Sequence, residues 1–215
     1  MKIYNNIQKI KSTLPNHISL IAVSKTKPNS DLLEAYDSGQ RIFGENKIQD
    51  MSKKWDSLPK DIEWHMIGHV QTNKVKYMAP FVSLIHTVDS LKLIIEINKQ
   101  ALKNNRIIDC LIQIRIAEEE TKFGLPENQL EDLLESVIAL KSIKIRGLMG
   151  MASFTSDDLK VRSEFNKLSK LFNKIKKKYS NLDILSMGMS SDYAIAIEEG
   201  STMIRVGSKI FGERN

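Results

Sequence analysis

Short apolar runs recur along the chain, and each is followed by a segment whose apolar residues return at helical spacing. The runs at 18–24 (ISLIAVS), 41–44 (RIFG), 63–67 (EWHMI), 84–88 (LIHTV), 107–114 (IIDCLIQI), 143–149 (IKIRGLM), 184–187 (ILSM) and 203–206 (MIRV) read as eight strands. Helices are expected at 29–38, 46–54, 73–78, 90–104, 126–140, 157–179 and 191–199, with an extra one at 1–13 and SKIFGE closing the chain. In 126–140 the residues Leu130, Leu133, Leu134, Val137 and Ile138 make one apolar face; in 157–179 Phe165, Leu168, Leu171, Phe172 and Ile175 do the same. Strict alternation of this kind implies a parallel sheet with helical crossovers. Eight repeats in 215 residues favour an α/β fold of the compact (β/α)8 TIM-barrel type, a single domain over 1–215 with an added N-terminal helix. A doubly wound open sheet needs the same alternation and is the alternative.

The composition, 41% hydrophobic, is enough for a sizeable core, and the formal charge of +6 suits a polyanion or a small anion equally. The basic stretch KLFNKIKKKY does not decide for nucleic acid. Its Leu171, Phe172 and Ile175 belong to a core face, which leaves Lys170, Lys174, Lys177 and Lys178 as a solvated side without interleaved stacking aromatics. No run approaches the roughly 18 apolar residues of a membrane helix, and the N-terminus lacks the apolar block of a signal peptide. The single cysteine, Cys110, lies within DCLIQIRI and reads as a reduced core residue. A soluble cytoplasmic protein is expected, with neither a nucleic-acid nor a membrane partner.

In a barrel, chemistry gathers where strands end and βα loops begin. The stretch SLIAVSKTKPN puts Lys25 at the mouth of a core, where desolvation favours the neutral, nucleophilic amine. After the seventh strand, GMSSD offers glycine, serines and Asp192; after the eighth, RVGSKIFG offers Gly207 and Ser208. Loops at these two positions commonly cradle phosphate. An amine facing a phosphate cradle suits a phosphorylated aldehyde, and pyridoxal phosphate is the leading candidate. Arg205 either faces that ring's nitrogen or pairs with a carboxylate. A sugar-phosphate enzyme using a Schiff-base lysine would share the same loops, with Glu45 as its acid–base partner. His65 and His69 are four apart, but the strand-like WHMIGHV, broken by Gly68, does not converge them on zinc, so no metal is expected. His17, in a loop, and His86, in a strand, read as structural.

With these residues laid out, the chain resembles the pyridoxal phosphate homeostasis protein family, single-domain relatives of the alanine racemase barrel. The matching stretches are AVSKTKP, FGENKIQ, WHMIGHVQTNK, HTVDS, ETKFGL, IRGLMGMA and LSMGMSSDYAIAIEEGSTMIRVGSKIFG, spanning residues 22 to 212 in the family's order. The resemblance implies a fold-type III barrel holding pyridoxal phosphate as an internal aldimine on Lys25. It further implies phosphate contacts from Ser190 and the backbone of Gly207 and Ser208, with Arg205 facing the pyridine nitrogen and Asn46 beside the cofactor. Ser208 stands where the family often has threonine and keeps the hydroxyl; Ser191 adds a second hydroxyl to which no role is assigned.

Alanine racemases bring a catalytic tyrosine from a separate β-domain, and the chain, which ends at Asn215, is expected to lack one. The implied function is therefore binding and buffering of pyridoxal phosphate, with delivery to pyridoxal-dependent apo-enzymes and an effect on amino-acid and keto-acid balance. A monomer without catalytic turnover is expected; a single-domain racemase, or another weak pyridoxal-dependent enzyme, is the alternative.

Overall fold

The computed structural model describes residues 1–117 and 123–213. Among these, eight strands close into one barrel in sequence order: β1 (Ser19–Val23), β2 (Ile42–Glu45), β3 (Glu63–Met66), β4 (Leu84–Val88), β5 (Ile108–Gln113), β6 (Ile143–Met149), β7 (Ile184–Ser186) and β8 (Met203–Val206). Every pairing is parallel, and β8 closes on β1 with Ile21 opposite Arg205 and Ala22 opposite Val206. The open-sheet alternative is thereby set aside. The helices are α1 (Lys2–Thr13), α2 (Asn29–Asp37), α3 (Ile48–Ser57), α4 (Val75–Met78), α5 (Leu91–Lys103), α6 (Leu130–Val137), α7 (Asp158–Lys178), α8 (Tyr193–Glu198) and α9 (Ser208–Phe211).

The two-residue period of each strand divides its side chains between two cores. Ile21, Leu84, Leu111, Met149 and Met203 fill the barrel interior. Their neighbours Leu20, Ala22, Phe43, Trp64, Ile85, Cys110, Leu148 and Ile204 pack outward against the helices. Cys110 is fully buried there, as expected, and burial pushes its thiol pKa up. From α1 the buried residues are Ile3, Ile7 and Ile10, and Asn6 Nδ2 donates to Ile210 O at 2.9 Å, which ties this added helix to α9.

The long basic helix α7 buries Leu171, Phe172 and Ile175. On its wet side Lys174 reaches Glu131 at 3.0 Å and Lys178 reaches Glu135 at 2.8 Å, so these lysines pair with α6. No described helix is long and apolar enough to cross a membrane.

One expected face is shorter than its periodicity. A 3₁₀ turn at Glu127–Gln129 replaces the first turn of the 126–140 helix, and α6 stops at Val137. Ile138 then lies 79% exposed, because Leu140 N–H turns back to Val137 O and carries the chain away from the core.

Candidate functional site

β1 ends at Val23, one residue before the end expected from the apolar run, so Lys25 sits on the turn that follows rather than on the strand itself. Lys27 N–H closes that turn on Ser24 O at 3.1 Å, and Thr26 takes φ 66°. A β-branched residue in the left-handed region is strained, at roughly 1–2 kcal/mol, and needs its surroundings to hold it there.

Those surroundings grip the turn from two sides. Ser24 Oγ donates to Glu45 Oε1 at 2.7 Å, while Lys54 Nζ donates to the same oxygen at 2.5 Å and to Ser24 O at 2.8 Å. Lys27 Nζ caps the end of α9, donating to Phe211 O and Glu213 O at 3.2 Å each. Glu45 is fully buried and bound to α3 through Lys54. This corrects the reading of Glu45 as an acid–base partner: its carboxylate anchors the Lys25 turn from the helix side.

The two anion loops meet. Gly207 N–H donates to Ser190 Oγ at 3.1 Å, joining the loop after β7 to the one after β8 and leaving the Ser190 hydroxyl proton to be given elsewhere. Asp192 Oδ1 accepts from Met189 N–H at 2.6 Å and folds the first loop. Gly188 starts it at φ 96°, where an added Cβ would lie 2.6 Å from Ala196 Cβ. Ser208 opens α9, and the first N–H groups of a helix lack acceptors within it. A Cβ on Gly207 would stand 3.4 Å from Val23, so the cradle lies against the end of β1, two residues from Lys25. Ser191 is exposed beside it.

Arg205 projects into the barrel and is 4% exposed. Its Nη1 donates to Ser186 Oγ at 2.6 Å and its Nη2 to Gly150 O at 3.1 Å. No carboxylate among the described residues forms an ion pair with it. Burial lowers its pKa to about 10, with Asp192 opposing that, so it stays a cation at neutral pH.

Asn46 follows β2 on the same mouth, pressed against Gly68: a Cβ on Gly68 would fall 2.2 Å from Asn46 O. His69 stacks on Phe123 at the rim, whereas His65 lies inside the barrel bonded to His86, so the two do not share one site. The first three residues of ETKFGL lie outside the described residues. The loop at 153–157 is pinned by Ser153, whose N–H and Oγ both reach Glu164, and ends as the cap of α7, Asp157.

Sequence reasoning missed the Ser24, Glu45 and Lys54 cluster and the role of Ser186. For Glu45 and Ser186 the available signal was a polar residue at a strand position; Lys54, on α3, carried none.

These donors suit one kind of ligand. A serine hydroxyl and backbone N–H groups suit a phosphate, a lysine amine at the mouth suits an aldehyde, and a buried guanidinium suits a ring acceptor.

The model of the alanine racemase N-terminal domain family matches residues 1–215. The pyridoxal phosphate homeostasis protein of Aquifex aeolicus is 42% identical over 93% of this chain and 88% of its own, and that of Escherichia coli K12 is 38% identical over 94% and 88%. Among solved structures, PipY of Synechococcus elongatus without PLP has a TM-score of 0.94 at 33% identity, covering 98% of this chain and 100% of its own. The same protein with PLP bound scores 0.90. Alanine racemase of Clostridium difficile with cycloserine, 14% identical, superposes with a TM-score of 0.80 over 99% of this chain and 60% of its own, a likeness of fold alone. The chain belongs to the alanine racemase N-terminal domain family, among the pyridoxal phosphate homeostasis proteins.

Proposed function

We propose that residues 1–215 act as one pyridoxal phosphate-binding unit that buffers the cofactor inside the cell and passes it to pyridoxal-dependent apo-enzymes. When bound, pyridoxal phosphate supplies an aldehyde that condenses with a primary amine and a phosphate that seeks several donors. Lys25 is the attachment amine, held on a turn clamped by Glu45, Lys54 and Lys27. Ser190, with the backbone of Gly207 and Ser208, takes the phosphate. Arg205 faces the ring nitrogen, and Asn46 lines the side of the site. The observation that carries this reading is the 3.1 Å contact between Gly207 N–H and Ser190 Oγ, which assembles the phosphate loops beside the end of β1.

Arg205 also speaks for holding over turnover. A guanidinium that remains charged gives a hydrogen bond but no proton, so a ring nitrogen facing it stays unprotonated and draws electrons weakly. We place the protein in the cytoplasm, where a lone core thiol stays reduced, and take it to be a monomer.

Titration with pyridoxal phosphate tests the assignment. A visible absorption band is expected for the wild type and is lost in Lys25→Ala, while Ser190→Ala weakens uptake roughly tenfold, the effect of one charge-assisted hydrogen bond. A band that persists in Lys25→Ala overturns the site. Amino acids incubated with the loaded protein in deuterated water are expected to keep their α-proton; exchange dependent on Lys25 would establish racemase chemistry instead. Light scattering at one chain mass checks the monomer.

A further inference from the structure

Four polar side chains connect through the barrel interior, from the site to the cavity at the opposite mouth. Arg205 on β8 donates to Ser186 Oγ on β7 at 2.6 Å. Ser186 Oγ lies 3.0 Å from His86 Nδ1 on β4, and His86 Nε2 lies 3.1 Å from His65 Nδ1 on β3. Ser186 and His86 are fully buried, His65 is 3% exposed and Arg205 4%. His65 also lines a cavity of about 380 Å³, together with His17, Ser19, Glu63, Arg146 and Thr202.

The direction of this chain follows from what each group can give. A guanidinium only donates, so Ser186 Oγ is the acceptor from Arg205. The hydroxyl has one proton, and His86 Nδ1 is its other polar neighbour among the described residues. Were His86 the donor in that contact, the buried hydroxyl proton would have no acceptor, which is unfavourable. Ser186 therefore gives to His86 Nδ1, His86 gives from Nε2 to His65 Nδ1, and His65 keeps its Nε2–H for the cavity. Both rings are neutral in this scheme, in keeping with the burial that lowers the proton affinity of each.

We propose that Ser186, His86 and His65 are positioning residues for Arg205, a one-way hydrogen-bond chain anchored at the far mouth that orients the guanidinium without neutralising it. A carboxylate at the position of Ser186 would cancel the charge that Arg205 presents to the site. A hydroxyl that passes its own hydrogen bond onward is instead a stronger acceptor, and the guanidinium keeps its full charge. That this orients Arg205 toward the ring of a bound cofactor rests on the function proposed above.

Nitrogen-15 NMR of histidine-labelled protein without cofactor tests the chain itself. Both rings are expected neutral at pH 7, unprotonated at Nδ1 and protonated at Nε2. Ser186→Ala is expected to mix the tautomers of His86, and Ser186→Thr to restore the single one. A protonated Nδ1 on His86, or a charged ring, in the wild type overturns the proposal, and this outcome is independent of whether pyridoxal phosphate binds at Lys25.

The loaded protein tests the effect on Arg205. Ser186→Ala is expected to shift the absorption maximum of the bound cofactor and to weaken its retention roughly tenfold, with Ser186→Thr close to wild type. In an Arg205→Ala background the same change is expected to add no shift. An unshifted spectrum in Ser186→Ala that still takes up the cofactor contradicts the positioning role.

Discussion

At the scale of single residues, position is made by neighbours. Lys25 rides on a turn whose conformation Thr26 adopts only under constraint, and that constraint is supplied by Glu45, Lys54 and Lys27. The interior histidines carry a consequence for acid stability. Burial holds the pKa of His65 down at about 3 and that of His86 well below its ordinary value, while both return to about 6.5 in the unfolded chain. Below pH 6.5 the unfolded state then binds more protons than the folded one, so stability falls as the pH falls, by roughly 1.4 kcal/mol per pH unit for each ring. Urea unfolding between pH 6.5 and 5 is expected to show this loss, with a flatter slope in His65→Gln. Equal slopes in the two proteins would contradict the neutral, buried state.

At the scale of elements, the alternation of apolar runs and helical segments was sufficient for all eight strands, because a parallel barrel buries each strand on both faces, but not for their closed order, since an open sheet needs the same alternation. Ends were less legible: β1 stops before Ser24, whose carbonyl accepts from Lys27 N–H and Lys54 Nζ instead of a neighbouring strand, and α6 loses Ile138 because the chain turns at Val137. The loops after β7 and β8 were readable as Gly and Ser clusters, but their mutual contact was not. Gly188 shows what folding the first of these loops demands. Its φ of 96° and the 2.6 Å approach of Ala196 Cβ leave no room for a side chain, so Gly188→Ala is expected to cost about 2 kcal/mol in urea unfolding. Ser190 is two residues on, so the same substitution is expected to weaken cofactor uptake. A variant as stable as wild type would mean that the loop adapts more readily than its packing implies.

At the scale of the molecule, closure of the barrel brings together residues that the chain keeps far apart. Lys27 reaches Phe211 and Glu213, and His86 meets Ser186 across a hundred residues. No local pattern encodes such pairs, which is why Lys25, Ser190, Arg205 and Gly207 could be singled out by loop position and resemblance while the polar chain behind Arg205 could not. The same closure sets β8 against β1 and so brings the Gly207 loop, the proposed phosphate cradle, next to the turn that carries Lys25. Lys25 is one of many lysines on a basic chain, and this placement sets it apart from the others. The most direct test is to load the protein with pyridoxal phosphate, reduce it with borohydride and map the labelled peptide. A single label on Lys25, suppressed when excess inorganic phosphate competes during loading, is the predicted result; label on another lysine, with Lys25 unmodified, would contradict the account.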